Sequence, residues 1–162
     1  MTSVVRLRVS KDSMIRFRAA LWMFAGVVSA CSADRTLAPR VVGVEGTSVR
    51  VEAYLWRDFQ PISPPDGKPL VAILRIQTVD GARIPSTLTA DSAWVYNGAS
   101  VWATAVVEEQ PRGAGAAAFQ VVARNGPKWG PGVEVDVVVR LRDAAGHGVL
   151  LQAPGQLIGR TD

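Results

Sequence analysis

The chain has 162 residues, of which 48% are hydrophobic and 20% charged, an ordinary globular composition long enough for one domain with a substantial core. Its net charge of +4 would, taken alone, fit a nucleic-acid or anionic membrane partner. However, five of the 18 basic residues and one of the 14 acidic residues lie within residues 1–30, so the remainder carries 13 of each sign. The part after residue 30 has no net charge to attract phosphate backbones, which excludes nucleic acid as its expected partner.

The first distinctive feature along the chain is a short apolar run with basic residues before it. Arg16 and Arg18 precede residues 19–30, which carry no charge. Basic residues followed by a short apolar run are typical of an export signal, and this run is shorter than the roughly 20 residues of a membrane-spanning helix. Met14 begins a more conventional leader of this kind, which leaves open whether residues 1–13 are translated.

The apolar run ends in the sequence Val28-Ser29-Ala30-Cys31. These four residues resemble the lipobox of bacterial lipoproteins, in which an aliphatic residue and two small residues precede a cysteine. The resemblance implies cleavage between Ala30 and Cys31, diacylglycerol attachment to the Cys31 thiol and often acylation of the new amino terminus. Several acyl chains on one residue anchor a protein firmly, since each buried methylene contributes about 0.8 kcal/mol.

The cysteine count supports this interpretation of Cys31. It is the only cysteine of the chain, whereas an exported domain stabilised by disulfides would carry an even number. We predict a signal peptide at 1–30, a lipidated cysteine with a short tether at 31–39, and a folded domain at 40–162. Fully extended, the tether reaches about 25–30 Å, so the domain is expected close to an envelope membrane, outside the cytoplasm.

The residue after Cys31 bears on which membrane this is. In two-membrane bacteria an aspartate there commonly retains a lipoprotein at the inner membrane. Ser32 occupies that position here, which favours the periplasmic face of the outer membrane if the source has one.

Beyond Pro39, apolar and polar residues alternate, and no long segment shows a helical period. The clearest case is the segment 133–142, in which Val135, Val137 and Val139 share one face. We predict a single all-β domain, an immunoglobulin-like or fibronectin-III-like sandwich, with a small Greek-key barrel as the alternative. Besides a hairpin at Asn97-Gly98, the predicted strands are 47–57, 70–78, 116–124, 133–142, 148–153 and a weak one at 156–158.

The dipeptide Asn97-Gly98 lies between two apolar runs and predicts a two-residue hairpin loop. With this loop, Tyr96 opposes Ala99 and Trp94 opposes Val101. Because the face that carries Trp94 is fully apolar, we expect Trp94 in the core. Trp102 falls on the opposite, mixed face.

Catalytic and metal-binding residues are not evident. His147 is the only histidine and stands between two glycines, which predicts a solvated turn, and a zinc site would need three or four such ligands. Glu108 and Glu109 are adjacent on a strand end and therefore point to opposite faces. A calcium site made by scattered aspartates at one end of the domain is a minor alternative. We predict no enzyme, no metal and no cofactor other than the lipid on Cys31.

Aromatic residues give the most suggestive remaining pattern. Tyr54 and Trp56 fall on the polar face of their strand, and Trp129 lies in a loop stiffened by two prolines. With Trp102, they form the predicted contact surface, since outward aromatics often anchor recognition. The alternative is that they pack beneath the domain's own loops.

Together these features predict a non-enzymatic, membrane-anchored binding or accessory module, such as a peripheral subunit of an envelope complex with a protein partner near the membrane. The alternative is a carbohydrate- or peptide-binding domain that acts alone.

Overall fold

The computed structural model describes residues 38–162. The predicted signal peptide, Cys31 and the tether as far as residue 37 lie outside the described residues. Residues 38–162 form eight β-strands and no helix, which confirms the all-β class. No helix long and apolar enough to cross a membrane occurs within this described range.

The strand bounds agree closely with the alternation pattern for most of the chain. The strand predicted at 70–78 has those bounds, whereas the one predicted at 116–124 starts and ends two residues later. The first strand was not predicted, because it has only four residues and one of them is Gly43. The strands are β1 (Val41–Val44), β2 (Thr47–Asp58), β3 (Leu70–Thr78), β4 (Thr89–Asn97), β5 (Ser100–Ala105), β6 (Ala118–Gly126), β7 (Glu134–Arg142) and β8 (Gly148–Thr161).

The strands form one curled, mixed sheet. Its hydrogen-bonded order is β5-β4-β7-β8-β2-β3-β6, with β1 added on β2. The β2–β8 pair is parallel and the other pairs are antiparallel. The two ends of this path approach each other, because Val107, just after β5, bridges to Val122 of β6 through two backbone hydrogen bonds of 3.2 and 2.8 Å.

The strand β8 joins the two halves of the sheet. Its first part pairs with β7 and its last four residues pair with β2. Pro154-Gly155 lies within the part that pairs with β7, where the register shifts between Ala153 and Gln156 and Gly155 has a φ of 66°. A proline–glycine pair usually predicts a turn, but here it forms an irregularity within one strand, as bulges do. The two strands predicted at 148–153 and 156–158 are therefore one.

A single large core is formed by the inward side chains of both halves of the sheet. The alternation predicted for β2 and β7 is confirmed, since the apolar residues of the predicted face are buried in both strands. Burying aliphatic side chains of this size contributes about 1.5–3 kcal/mol each. The main contributors are Val49, Val51, Leu55, Leu70, Leu74, Ile76, Val95, Phe119, Val121, Val137, Val139, Leu141, Leu151 and Ile158.

The β4–β5 hairpin differs from its prediction in register and in orientation. Tyr96 pairs with Val101 and Asn97 with Ser100, so the loop is Gly98-Ala99 instead of Asn97-Gly98. Within this loop only Gly98 has a positive φ, of 58°, as a type II′ turn requires.

The face of this hairpin that meets the core is the one with Ala93, Val95 and Trp102. Trp94 was predicted in the core, but it is not a residue of the main core. It packs, partly buried, in a second cluster with Tyr96 and Val138. Both faces of the hairpin are apolar enough to be buried, so the pattern alone could not decide between them.

The second cluster also holds the start of the described chain. Ala38 is buried in it, and the backbone N–H of Gln152 donates to the carbonyl of Pro39 at 2.9 Å. The folded contacts thus extend to the last two residues of the predicted tether.

An ion-pair cluster links β4 to β7. Asp91 accepts hydrogen bonds from Arg140 at 2.7 Å and from Arg142 at 2.5 Å, and Arg140 also reaches the Ser92 hydroxyl at 2.8 Å. Burial raises the pKa of Asp91, but hydrogen bonds from the two arginines and Ser92 lower it more, to about 2 from its ordinary value of 3.8. The carboxylate is therefore held in its charged form.

We expect this cluster to make folding stability sensitive to acid. The contribution of Asp91 is complete above pH 3.8 and is lost as the pH falls from 3.8 towards 2, because the unfolded chain takes up the proton first. In urea unfolding between about pH 5 and pH 2, Asp91→Asn should flatten this part of the pH dependence. Glu134→Gln, at an exposed position of β7, serves as the control. If folding stability falls just as steeply with acid in the Asp91→Asn protein, the loss of stability comes from other titratable groups.

Candidate functional site

An apolar row crosses the outer face of the sheet. Tyr54 pairs with Ile73, Ile73 pairs with Val122, and Val122 bridges to Val107. Side chains directly opposite each other on neighbouring strands lie on the same face, so these four residues form a continuous line.

Leu157 extends this row by one strand. The parallel β2–β8 ladder starts at Leu55 and Ile158, two buried residues, so the residues just before them, Tyr54 and Leu157, stand side by side and point outward. We call the complete row of five residues the apolar stripe: Leu157, Tyr54, Ile73, Val122 and Val107.

The apolar stripe is open to solvent. Leu157 is 65% exposed, Val107 61% and Tyr54 56%, and these are three of the seven large hydrophobic residues exposed in the described part of the chain. Single exposed apolar residues are common, but a continuous row is a feature of interaction surfaces. The stripe is therefore the strongest candidate contact surface.

Hydrogen-bonded polar side chains border one side of the stripe. Glu52 accepts from Gln77 at 2.6 Å and from Arg50 at 3.2 Å, and Gln77 in turn accepts from Arg75 at 3.2 Å. An apolar centre with a polar rim is the usual anatomy of a protein interface.

Trp56 lies beside the stripe and lines a cleft of about 240 Å³. It pairs with Val71 on one side and with Gly159 on the other, and the glycine has no side chain to cover the indole. We call this concavity the Trp56 cleft. It is lined by Trp56, Val71, Ile73, Glu109, Gln110, Gln120, Val122 and Arg124.

The charged groups of the Trp56 cleft are paired with each other. Nε and Nη2 of Arg124 donate to the two carboxylate oxygens of Glu109, each at 2.8 Å. These hydrogen bonds lower the pKa of Glu109 and raise that of Arg124, so both groups stay charged and neutralise each other. In contrast, the side-chain amides of Gln110 and Gln120 make no hydrogen bond within residues 38–162.

The structure brings together only two of the four residues predicted for a contact surface. Tyr54 and Trp56 share the outer face of β2, one exposed and the other partly buried. Trp102 and Trp129 instead pack against the main core. Trp102 is partly buried, and its indole ring lies so close to Gly126 that a Cβ atom added there would be 2.7 Å from the ring.

The remaining stripe residues were missed by sequence reasoning. Ile73 and Val122 alternate with buried residues of β3 and β6, so the outward position of both could have been found from the pattern. Val107 and Leu157 could not, because only long-range strand pairing places them on this face.

The residues considered for catalysis are each paired with a different neighbouring side chain. His147 is exposed in a turn and contacts Asp143 at 3.1 Å, while Glu108 binds Arg112 and Glu109 binds Arg124. Within residues 38–162, no three side chains of histidine, cysteine, aspartate or glutamate come close enough to hold a metal ion.

Comparison of the chain with protein-family models, curated proteins and solved structures gave no match. Its function is therefore inferred from its own residues.

Proposed function

We propose that this chain is a lipid-anchored binding or accessory module that contacts a protein of the cell envelope through the apolar stripe and performs no catalysis. The single observation that carries this proposal is the stripe itself: five apolar side chains in register across the outer face, three of them more than half exposed. Covering such a row with a partner removes apolar surface from water, which contributes about 25 cal/mol per Å². A polar rim then fixes the orientation of the partner.

The lipobox resemblance supports the location that we propose. A diacylglycerol on Cys31 holds the domain at a membrane outside the cytoplasm, and Ser32 favours the periplasmic face of an outer membrane. With residues 38 and 39 packed on the domain, the tether reaches about 20 Å, so it confines the domain to a thin shell in which a weak surface contact has a high effective concentration. This is the situation of a peripheral subunit of an envelope complex.

We also propose that the curled sheet is an immunoglobulin-like or fibronectin-III-like sandwich. The support is that strands β2, β3 and β6 and strands β4, β7 and β8 turn their inner residues towards one common core. An experimental structure in which these two groups of strands close into a continuous barrel would favour the alternative.

We expect changes in the stripe to release the partner without unfolding the domain. Tyr54→Ser and Val107→Ser should each reduce the recovery of a co-purifying envelope protein about tenfold or more, since a central anchor residue contributes about 2 kcal/mol or more. The measurement is affinity purification of the lipidated protein from its own membranes in mild detergent, followed by quantitative mass spectrometry.

The matched control is Val101→Ser, because Val101 is also an exposed valine, 45% accessible, but lies on β5 outside the stripe. Equal recovery of every co-purifying protein by wild type and both stripe variants would contradict the proposed contact surface.

A second candidate function is carbohydrate binding by a domain that acts alone. The observation that favours it is the Trp56 cleft, where an indole and two side-chain amides, neither hydrogen-bonded within residues 38–162, stand beside an aliphatic floor.

A further inference from the structure

The Trp56 cleft differs from the stripe in shape and in chemistry. It is a concavity of about 240 Å³, below the roughly 300–1,000 Å³ of sites for drug-sized ligands. Three aliphatic side chains, Val71, Ile73 and Val122, lie between the indole of Trp56 and a polar wall. Its size and its mixed lining suit one small amphiphilic group.

The polar wall of the cleft has hydrogen-bonding capacity to spare and no net charge. The Gln110 and Gln120 amides each offer donors and an acceptor, with no partner in the described part of the chain. Because Arg124 and Glu109 satisfy each other, the cleft does not favour a phosphate, a carboxylate or an ammonium group. A ligand that is uncharged, and that both donates and accepts hydrogen bonds, fits best.

The wall is also held in place before any ligand arrives. The bridge between Val107 and Val122 fixes one side of the segment that carries Gln110, and the Glu109–Arg124 pair ties it to β6. A site that is already ordered loses less conformational entropy when it binds.

We propose that the Trp56 cleft binds one neutral pyranose ring of a carbohydrate. The indole and the aliphatic floor accept the C–H face of the ring, while Gln110 and Gln120 bond its hydroxyl groups. This inference rests on the second candidate function, for which it names the class of ligand and the residues that hold it, and it does not depend on the protein contact through the apolar stripe.

The test is isothermal titration of the full-length lipidated protein in mild detergent with cellotetraose, xylotetraose and triacetylchitotriose. We expect at least one of them to bind with a Kd of about 1 mM or lower. Trp56→Ala and Gln120→Ala should each weaken that binding about tenfold or abolish it. Gln60→Ala, at an exposed glutamine outside the cleft, should leave the Kd unchanged.

Absence of binding by all three sugars at about 10 mM, where a 1 mM site is about nine-tenths occupied, would overturn the inference. Binding that Trp56→Ala and Gln120→Ala leave unchanged would do so as well. If no sugar binds but Trp56→Ala releases the same envelope protein as Tyr54→Ser, the cleft belongs to the protein interface and only the proposed function stands. If a sugar binds through the cleft while the stripe variants release nothing, the inference stands and the protein-binding proposal fails.

Discussion

Replacing Arg57 with methionine is expected to lower the free energy of unfolding by about 3 kcal/mol, a large part of the roughly 5–15 kcal/mol of a typical domain. Arg57 is only 4% exposed, and its guanidinium donates to the carbonyls of Lys68 at 2.9 Å, Lys128 at 3.0 Å and Asp66. These contacts tie the end of β2 to the loops after β2 and β6. The guanidinium also lies over the ring of Phe59, 4.9 Å from its centroid.

The size of the effect follows from what the substitution leaves behind. Removing a buried charge relieves its desolvation, so replacing a whole ion pair by apolar groups is often nearly neutral. Here the acceptors are backbone carbonyls, which stay when the side chain is changed, and their hydrogen bonds to Arg57 are part-buried. A polar group left without its partner costs about 1–3 kcal/mol where it is shielded from water. The loss of three hydrogen-bond donors therefore outweighs the free energy gained by no longer burying the charge of Arg57.

Urea unfolding monitored by tryptophan fluorescence gives the measurement. Arg50→Met is the matched control, since Arg50 lies on the same strand but is exposed, and its side chain bonds only to Glu52 among the residues that the structure describes. Its effect should stay within about 0.5 kcal/mol. An Arg57→Met protein as stable as the control would show that water replaces the guanidinium at all three carbonyls.

Arg57 also illustrates what strand alternation can reveal. Val51, Ala53 and Leu55 face the core, and Arg57 continues their parity, so the pattern puts a charged side chain inward. A charge at such a position signals a buried hydrogen-bonding role. The partners could not be predicted, since the carbonyl of Lys128 is 71 positions away in the chain.

The same local alternation located two residues of the candidate site, Tyr54 and Trp56. It placed Tyr54 outward correctly because β2 has one apolar and one polar face, so only the apolar face can pack on the core. In the β4–β5 hairpin both faces are apolar, and burial was decided by which other elements cover each face. Ala38 and Val138 cover the Trp94 side, and the main core takes Trp102.

The apolar stripe depends on strand register, which alternation alone does not give. Tyr54 and Leu157 are neighbours only because β8, which pairs with β7 as far as Leu157, joins β2 in parallel from Ile158 onwards. A shift of one residue in that pairing would turn Leu157 inward. The candidate surface is thus a property of the fold, whereas its aromatic members were visible in the sequence.

Replacing Cys31 with serine is expected to abolish lipid attachment completely. In the wild-type protein, cleavage before Cys31 and acylation should give a tryptic peptide of residues 31–35 that carries fatty acyl groups, because Arg35 is the next tryptic site. Without the thiol no thioether to diacylglycerol forms, and the leader should stay attached. The corresponding peptide then spans residues 19–35 and has the unmodified mass.

Labelling with an alkyne fatty acid and mass spectrometry of these peptides measure the effect directly. Membrane fractionation alone would not measure lipid attachment, since an uncleaved apolar run at 19–30 can itself hold the protein at a membrane. Ser29→Ala is the matched control, because it keeps a small residue at that lipobox position and should preserve labelling. Recovery of the 19–35 peptide with a free thiol from the wild-type protein would contradict the anchor.

We expect the proposed anchor and the apolar stripe to act together in binding a partner. One acyl chain gives only marginal, reversible membrane binding, whereas the two or more chains proposed for Cys31 are expected to hold the domain stably at the surface. A stripe of five residues is a small contact for a freely diffusing protein, but confinement near the membrane raises the effective concentration of a partner there to about millimolar. We therefore expect Cys31→Ser to reduce recovery of the envelope partner even with the stripe intact. Equal recovery would mean that the stripe binds tightly enough to need no anchor.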